Sequence, residues 1–206
     1  SSGCLDWLAS ARLSVPGGVS DRVSKILPIF SSPVTTTDRG ILTDETVSRL
    51  LANHAPVAIG VSGGKDSSAL AISTIAYLDR IGHKGPRVLI HSDLGRVEWK
   101  QSLPLCEALA AKLGVELMVV RRAAGDMMDR WHVRWRNNVQ RYVDLSCVKL
   151  ILPWSTPSMR FCTSELKTAV ICSALIKKFP GQVIVSASGI RRQESAKRAQ
   201  AEVSKA

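Results

Sequence analysis

The segment of this sequence best suited to chemistry is a short polar turn, SGGKDSS at positions 62–68. It follows an apolar run, VAIGV, and precedes a stretch with helical periodicity. Gly63 and Gly64 allow backbone angles that other residues avoid, so consecutive amide groups can point into one concavity. The amino end of the helix that follows adds a partial positive charge. The turn is therefore predicted to bind an anion such as a phosphate group.

The side chains of this turn add charge and hydrogen-bonding groups to the predicted anion site. Lys65 supplies a full positive charge. Three hydroxyl groups can donate hydrogen bonds to phosphate oxygens, those of Ser62, Ser67 and Ser68. Asp66 is predicted either to cap the helix or to be an indirect magnesium ligand. The Walker motif is excluded, because an aspartate and not a serine or threonine follows the lysine.

The rest of the chain alternates short apolar runs with longer amphipathic stretches, which is typical of βαβ units in a parallel sheet. The predicted strands are 57–62, 87–92, 115–120 and 182–187, and the predicted helices are 66–81, 97–113, 125–142 and 163–179. A further capped helix is expected from about Thr43 to Asn53. We expect an α/β fold, a doubly wound parallel sheet in a Rossmann-like three-layer sandwich. Ligands should gather at the carboxyl ends of its strands.

A second polar segment, HSDLGRVE at 91–98, lies where the second of these strands ends. Asp93 is placed there to meet the ribose or adenine of a nucleotide, or to support a metal ion. His91 is expected to be an ordinary strand residue without a catalytic role.

A third segment, MRFCTSELK at 159–167, begins the last predicted helix. Thr163 or Ser164 is expected to cap that helix, with Arg160 and Lys167 beside the same end to attract an anion. Cys162 is open to two interpretations, a reactive thiol near cations or a buried structural cysteine.

A fourth segment, SGIRRQES at 188–195, follows the last predicted strand. Gly189 permits a tight turn there. Arg191 and Arg192 offer planar guanidinium groups that suit pyrophosphate or phosphosulfate.

In this order, the four segments resemble those of the PP-loop superfamily of adenine-nucleotide alpha hydrolases, and the later ones resemble its phosphoadenylyl sulfate (PAPS) reductase-like members. The matching elements are S-G-G-K-D-S, R-x-C-T-x-x-L-K and G-x-R-x-x-E-S, and the resemblance covers about residues 57–198. It implies ATP or PAPS as ligand, with Mg²⁺ as the expected metal ion. The residues it implies for catalysis are Lys65, Asp66, Cys162 and Arg191.

The resemblance leaves three functions open. The favoured one is an ATP pyrophosphatase that adenylylates an acceptor, with sulfur transfer to a nucleic acid as one version. The second is a sulfonucleotide reductase, but this sequence ends in VSKA without the Glu-Cys-Gly-type tail of such enzymes. The third is a nucleotide-sensing module without turnover.

Composition sets broader limits. The 206 residues are 45% apolar, which suits one principal domain, placed at 41–206 after a poorly defined arm at 1–40. No apolar run is long enough to cross a bilayer and no secretory signal is recognised, so a cytoplasmic protein without membrane contact is expected. The five cysteines follow neither a zinc nor an iron–sulfur spacing.

Positive charge is concentrated in the second part of the chain. Residues 121–206 contain 16 Lys and Arg against 6 Asp and Glu, out of a total net charge of +11. One explanation is an anionic ligand: a nucleotide's phosphates, a sulfate-like group or a nucleic-acid backbone, with a nucleic acid or a partner protein as the macromolecular partner. The other explanation is a solvated basic surface.

The predicted helix at 125–142 has an aromatic and apolar face and a basic face. The first comprises Met128, Trp131, Trp135, Val139 and Tyr142, and the second comprises Arg130, Arg134 and Arg141. Packing of the tryptophans into the core is favoured over a stacking platform for bases.

Overall fold

The sheet has five parallel strands. In the computed structural model of the protein, which describes residues 8–9, 41, 43–156, 159–189 and 200, these strands are β1 (Leu8–Ala9), β2 (Val57–Gly60), β3 (Arg87–Asp93), β4 (Glu116–Arg121) and β5 (Ile184–Ala187). Their order across the sheet is β1-β5-β2-β3-β4. Two residues of the predicted arm thus form an edge strand, which pairs with β5. The rest of positions 1–40 lies outside the described residues.

Helices connect the strands. They are α1 (Glu45–Ala52), α2 (Lys65–Arg80), α3 (Ser102–Leu113), α4 (Met127–Val143), α5 (Phe161–Thr163) and α6 (Ala169–Lys178). A 3₁₀ turn spans Gly95–Val97, and a π-helical segment, Ser164–Thr168, joins α5 to α6. Such π segments occur often at functional sites.

Apolar side chains from alternate strand positions form a core on each face of the sheet. On one face, Ile59 and Leu89 pack with buried residues of α1, α2 and α3. On the other, Ala58, Val88 and Ile90 pack with Leu175 of α6. Because a strand residue points away from its neighbour, one run of apolar residues fills both cores. The predicted α/β sandwich is confirmed.

The direction of winding reverses between β2 and β5. The chain proceeds outward from β2 through β3 to β4, then returns to place β5 on the other side of β2. In open parallel sheets this reversal leaves a crevice at the carboxyl ends of the two central strands, and ligands bind there. The polar turn at 62–68 begins directly after β2.

Three local predictions are wrong. The helix expected from 97 begins only at Ser102, because Glu98 is extended and Pro104 fits the first turn of α3, where its missing N–H is not needed. Asp44, not Thr43, caps α1, through a 2.8 Å bond from the Val47 amide.

The third concerns Thr163 and Ser164, which lie inside the helical segment and do not cap it. The Ser164 hydroxyl donates to the carbonyl oxygens of Arg160 and Phe161, at 3.5 and 3.4 Å.

Candidate functional site

The turn after β2 has the shape of an anion cradle. Val61 is buried, Ser62 and Gly64 are exposed, and α2 begins at Lys65 with Gly64 as its N-cap. The first intrahelical bond runs from the Ser68 amide to the Gly64 carbonyl, at 3.0 Å. Within an α-helix the amides that precede this bond have no carbonyl of their own helix to donate to, and they are the groups that bind anions. We call residues 62–68 the phosphate loop.

Serine hydroxyls organise the phosphate loop from within. Ser67 and Ser68 both donate to the Gly64 carbonyl oxygen, at 2.9 and 3.1 Å. Ser67 Oγ also accepts from the Ser62 amide at 3.1 Å, and it lies 3.2 Å from Ser62 Oγ. Direct donation to phosphate oxygens was predicted for all three side chains. Ser67 and Ser68 donate inside the loop and thereby stabilise its shape, and their donation to phosphate stays a prediction.

Gly63 is where the loop meets α3. Its φ is +69°, and a Cβ there would lie 2.8 Å from both the Cα and the carbonyl oxygen of Ser102. A side chain is therefore excluded by conformation and by space together. Gly64, by contrast, is extended and has room. Asp66 is the second residue of α2 and not its cap.

Gly189 closes the other side of the crevice. A Cβ on it would lie 3.6 Å from the Asp66 carbonyl oxygen and 3.9 Å from Leu70, so the turn after β5 packs against the first turns of α2. The structure thus brings Gly189 to the phosphate loop at the reversal point of the sheet. Arg191 and Arg192 lie outside the described residues, and their predicted roles stay predictions.

Asp93 ends β3 and is bound to two neighbours. Its Oδ1 accepts a hydrogen bond from the Gly95 amide at 2.6 Å, and its Oδ2 pairs with the guanidinium group of Arg121. Arg121 lies directly opposite Asp93 in the register of β3 and β4. Partial burial by itself raises the pKa of Asp93, but Arg121 and the Gly95 amide together lower the pKa below its usual value. The carboxylate is therefore charged and held by Arg121, a partner that its position in the sequence did not indicate.

The segment Arg160–Lys167 lies against the end of β3. Ser92, one residue before Asp93, donates from its hydroxyl to the Leu166 carbonyl oxygen at 2.5 Å. Leu166 is in the π-helical segment and is buried with Phe161 and Met127. The third predicted segment therefore joins the carboxyl edge of the sheet beside Asp93.

Cys162 is half-buried against a third apolar cluster, formed by the buried side chains of Met127, Phe161 and Leu166, and its Sγ lies 3.9 Å from Thr163 Oγ1. Around it, Arg130 pairs with Glu165 at 2.7 and 2.9 Å, and the guanidinium groups of Arg130 and Arg134 lie over the Phe161 ring. This intermediate exposure lies between the two interpretations of Cys162, an exposed reactive thiol and a buried structural cysteine.

A cavity of about 770 Å³ runs along α5, the π segment and α6. Its lining is mostly apolar and includes two basic residues, Arg160 and Lys177, and three hydroxyl residues, Thr163, Ser164 and Thr168. Lys167 is exposed and does not line it. Two of the three predicted anion-binding residues of this segment thus share a cavity.

Helix α4 is fixed by residues that the sequence pattern had not singled out. Asp126 and Asp129 form a capping box, and Arg96 of the 3₁₀ turn binds both carboxylates, at 2.7 and 2.9 Å from Asp126. The side-chain hydrogen bond of Arg96 lowers the pKa of Asp126 strongly. The Asp-x-x-Asp pattern just before the tryptophan repeat was the available sign of a helix start.

The residues on the aromatic face of α4 differ in how far they are buried. Trp131 is partly buried against the third cluster, while 37% of Trp135 and 47% of Tyr142 are exposed. The favoured interpretation, with both tryptophans in the core, thus holds for Trp131 alone. Of the basic residues, Arg141 is exposed, and Arg130 is paired with Glu165.

Within the described ranges, no three His, Cys, Asp or Glu side chains are grouped so that they could hold a metal ion. None of the helices in the same ranges combines the length and apolar character that crossing a bilayer demands.

Comparisons with known proteins complete the description of the site. No family model and no curated protein matches the sequence. Among solved structures, the U34-tRNA thiolase NcsA from Methanococcus maripaludis, determined with its [4Fe-4S] cluster, is similar at 19% identity and a TM-score of 0.37. The match covers 74% of this chain and 58% of the thiolase, so this chain spans little more than half of that protein.

Proposed function

We propose that the protein is an adenine-nucleotide-binding enzyme that cleaves ATP between the α- and β-phosphates and transfers the adenylyl group to an acceptor. The observation that carries the proposal is the phosphate loop at the reversal point of the sheet, with Gly189 packed against its helix. Open parallel sheets bind ligands at this point. The four matching segments of the PP-loop resemblance support an adenine nucleotide over other phosphate compounds.

The loop would hold the phosphates mainly by backbone amides. Helix α2 begins at Lys65, so its first amides and its positive end lie at the loop, and the Lys65 ammonium group would add a full charge there. Charge builds up on the pyrophosphate leaving group as the bond to the α-phosphorus breaks, and fixed donors stabilise it without rearranging. We assign this role to Lys65 and, from the resemblance, to Arg191 and Arg192.

In the proposed reaction an acceptor oxygen attacks the α-phosphorus. The bond from that phosphorus to the oxygen bridging to the β-phosphate breaks, pyrophosphate leaves with the bonding electrons, and the acceptor hydroxyl loses its proton. The product is an adenylylated acceptor. Catalysis of this kind depends on positioning and charge neutralisation more than on a protein nucleophile.

Magnesium would be held by Asp66 together with phosphate oxygens and water, since Mg²⁺ usually binds through one or two carboxylates plus phosphate. Asp93 is the second candidate ligand, and its carboxylate oxygens accept from the Gly95 amide and pair with Arg121. When bound, Mg²⁺ would neutralise charge on the phosphates. Asp93 in its present pairing is better suited to positioning Arg121 or to meeting the ribose.

We assign the acceptor to the cavity along α6, whose lining includes Arg160 and Thr163. Cys162 is the candidate thiol if the acceptor chemistry is sulfur transfer. The basic second half of the chain suits a nucleic acid as acceptor.

The experiment is calorimetric titration with ATP and with PAPS, each with and without Mg²⁺, on the intact protein and on Asp66→Ala. We expect magnesium-dependent ATP binding that Asp66→Ala abolishes. Glu45→Ala is the matched control, since it also removes an acidic residue from the first turn of a helix, α1, away from the loop. It should leave ATP binding unchanged.

Pyrophosphate release then separates an enzyme from a binding module. Release with Mg²⁺ in the presence of acceptor supports the proposal. Preferred binding of PAPS together with thiol-dependent sulfite release would replace it with the reductase, and binding of neither nucleotide would refute it.

A further inference from the structure

A buried histidine and a buried cysteine lie beneath the phosphate loop, and the proposed reaction uses neither. His91, in β3, is 1% exposed. Its Nδ1 lies 3.0 Å from the carbonyl oxygen of Val61, the residue that leads from β2 into the loop. A carbonyl can only accept, so Nδ1 carries the proton and donates. The ring thus binds the residue that immediately precedes the loop.

Cys106, in α3, contacts the loop one step further along. It is completely buried, and its Sγ lies 3.7 Å from His91 Nδ1. Burial raises the pKa of the Cys106 thiol, while the backbone N–H of Gly63 acts in the opposite direction on that pKa by donating to the sulfur. Ser102, which crowds Gly63, lies one turn earlier in the same helix. Helix α3 therefore touches the loop through two of its turns.

The far side of the His91 ring is held weakly. Its Nε2 lies 3.6 Å from Glu98 Oε2, beyond hydrogen-bonding distance, and within the described part of the chain no polar atom bonds to it. Glu98 Oε2 instead accepts from the Leu94 amide at 2.9 Å. A buried nitrogen without a partner costs free energy. The hydrogen bond that holds the ring is therefore the one from Nδ1 to the Val61 carbonyl oxygen.

We propose that His91 and Cys106 are positioning residues that hold the phosphate loop from below in its anion-binding shape. The inference rests on the proposed function, in which that loop binds nucleotide phosphates. Donors fixed in advance bind an anion without the cost of ordering them, so loss of the support weakens binding even where the fold survives. Neither side chain touches the ligand in this arrangement.

The test compares substitutions that keep or remove the bond to Val61. His91→Leu has similar size and no donor, and His91→Asn places an amide N–H near the position of Nδ1. With ATP and Mg²⁺ as the probe, we expect affinity about tenfold weaker for His91→Leu, equivalent to one buried hydrogen bond. His91→Asn should stay within about twofold of the wild type, because the donor is kept. Cys106→Val, which keeps the volume but removes the sulfur acceptor, should weaken binding about fivefold.

Val88→Ala is the matched control. Val88 is fully buried in the same strand but faces the opposite core, so its truncation lowers stability without touching the loop. It should leave affinity unchanged at a temperature where all variants are folded. Equal affinity losses in His91→Leu and His91→Asn, or in His91→Leu and Val88→Ala, would overturn the proposal. If His91→Leu does not fold, the comparison of Cys106→Val with Val88→Ala decides in the same way.

A second readout needs no nucleotide. Amide hydrogen exchange at 62–65 in the free protein should be faster in His91→Leu than in the wild type and near normal in His91→Asn. If the wild type binds no ATP, the proposed function fails while this exchange result still tests the support. Unchanged loop exchange in His91→Leu refutes the support whether or not ATP binds.

Discussion

Substitution of Gly63 by alanine tests whether the phosphate loop depends on contact with α3. The residue combines a φ of +69° with a missing Cβ that would lie 2.8 Å from the backbone of Ser102. Gly82→Ala is a matched control, since Gly82 has nearly the same φ, +68°, and a Cβ added there would meet nothing within 4 Å. The two variants therefore share the conformational penalty and differ in crowding.

The size of the effect follows from these distances. A left-handed alanine costs about 1–2 kcal/mol, which is all that Gly82→Ala should lose in free energy of unfolding. In Gly63→Ala, ordinary contact begins at 3.4 Å, so loop and helix must separate by about 0.6 Å between rigid backbone atoms. Overpacking of this kind adds about 1–3 kcal/mol. We expect a total of about 2–5 kcal/mol for Gly63→Ala.

Two assays measure the effect of the substitutions on stability and on ATP binding. Urea denaturation gives the free energy of unfolding of each variant, and calorimetric titration with ATP and Mg²⁺ gives the affinity of the folded protein. Gly63→Ala should weaken binding more than tenfold, because the shift displaces the amides of the loop, whereas Gly82→Ala should bind like the wild type. Equal stability and equal affinity in the two variants would show that the loop does not rest on Ser102, and the account of the site would be wrong.

Two further predictions concern charge and thiols. Partial burial opposes Arg121 in setting the pKa of Asp93, so Arg121→Ala should raise that pKa, which carboxyl NMR titration can follow. Because the folded pKa of Asp93 is lowered, the wild type should lose stability as pH falls below about 4 and through the folded pKa, and Arg121→Ala should lack this part of the acid dependence. An identical acid profile in both proteins would argue against the pairing. In thiol labelling of the native protein, Cys147 and Cys162 should react before the buried Cys106 and Cys172, and Cys162→Ser should remove one fast equivalent. Fast reaction of Cys106 would show that the packing beneath the loop is not as described.

The sequence by itself determined the fold class and the place of the phosphate loop. Short apolar runs such as 57–59 and 88–90 are buried on both faces of the sheet, and continuous runs of this kind are typical of a parallel sheet that is covered on both faces. The loop was predictable because its glycines and its following helix are local features. Local backbone preferences and strand periodicity are both encoded within a few neighbouring residues.

Element boundaries and caps were predicted less well. Helix α3 begins at Ser102, five residues later than expected, because Glu98 is extended and accepts a hydrogen bond from Leu94. The hydroxyls of Ser67 and Ser68 bind the Gly64 carbonyl, a partner that the sequence did not indicate, and their binding of a phosphate stays a prediction. Each of these depends on competing hydrogen bonds of similar energy, which composition does not rank.

Only the tertiary structure decided which distant residues meet. The pairing of Asp93 with Arg121 requires β3 and β4 to be adjacent and in register, and the contact of His91 with Val61 requires β2 beside β3. His91 was predicted to be an ordinary strand residue because no residue near it in the sequence identifies Val61 as its partner. Contacts between residues about 30 positions apart arise from the packing of the whole sheet. The pattern of neighbouring residues in the sequence does not predict them.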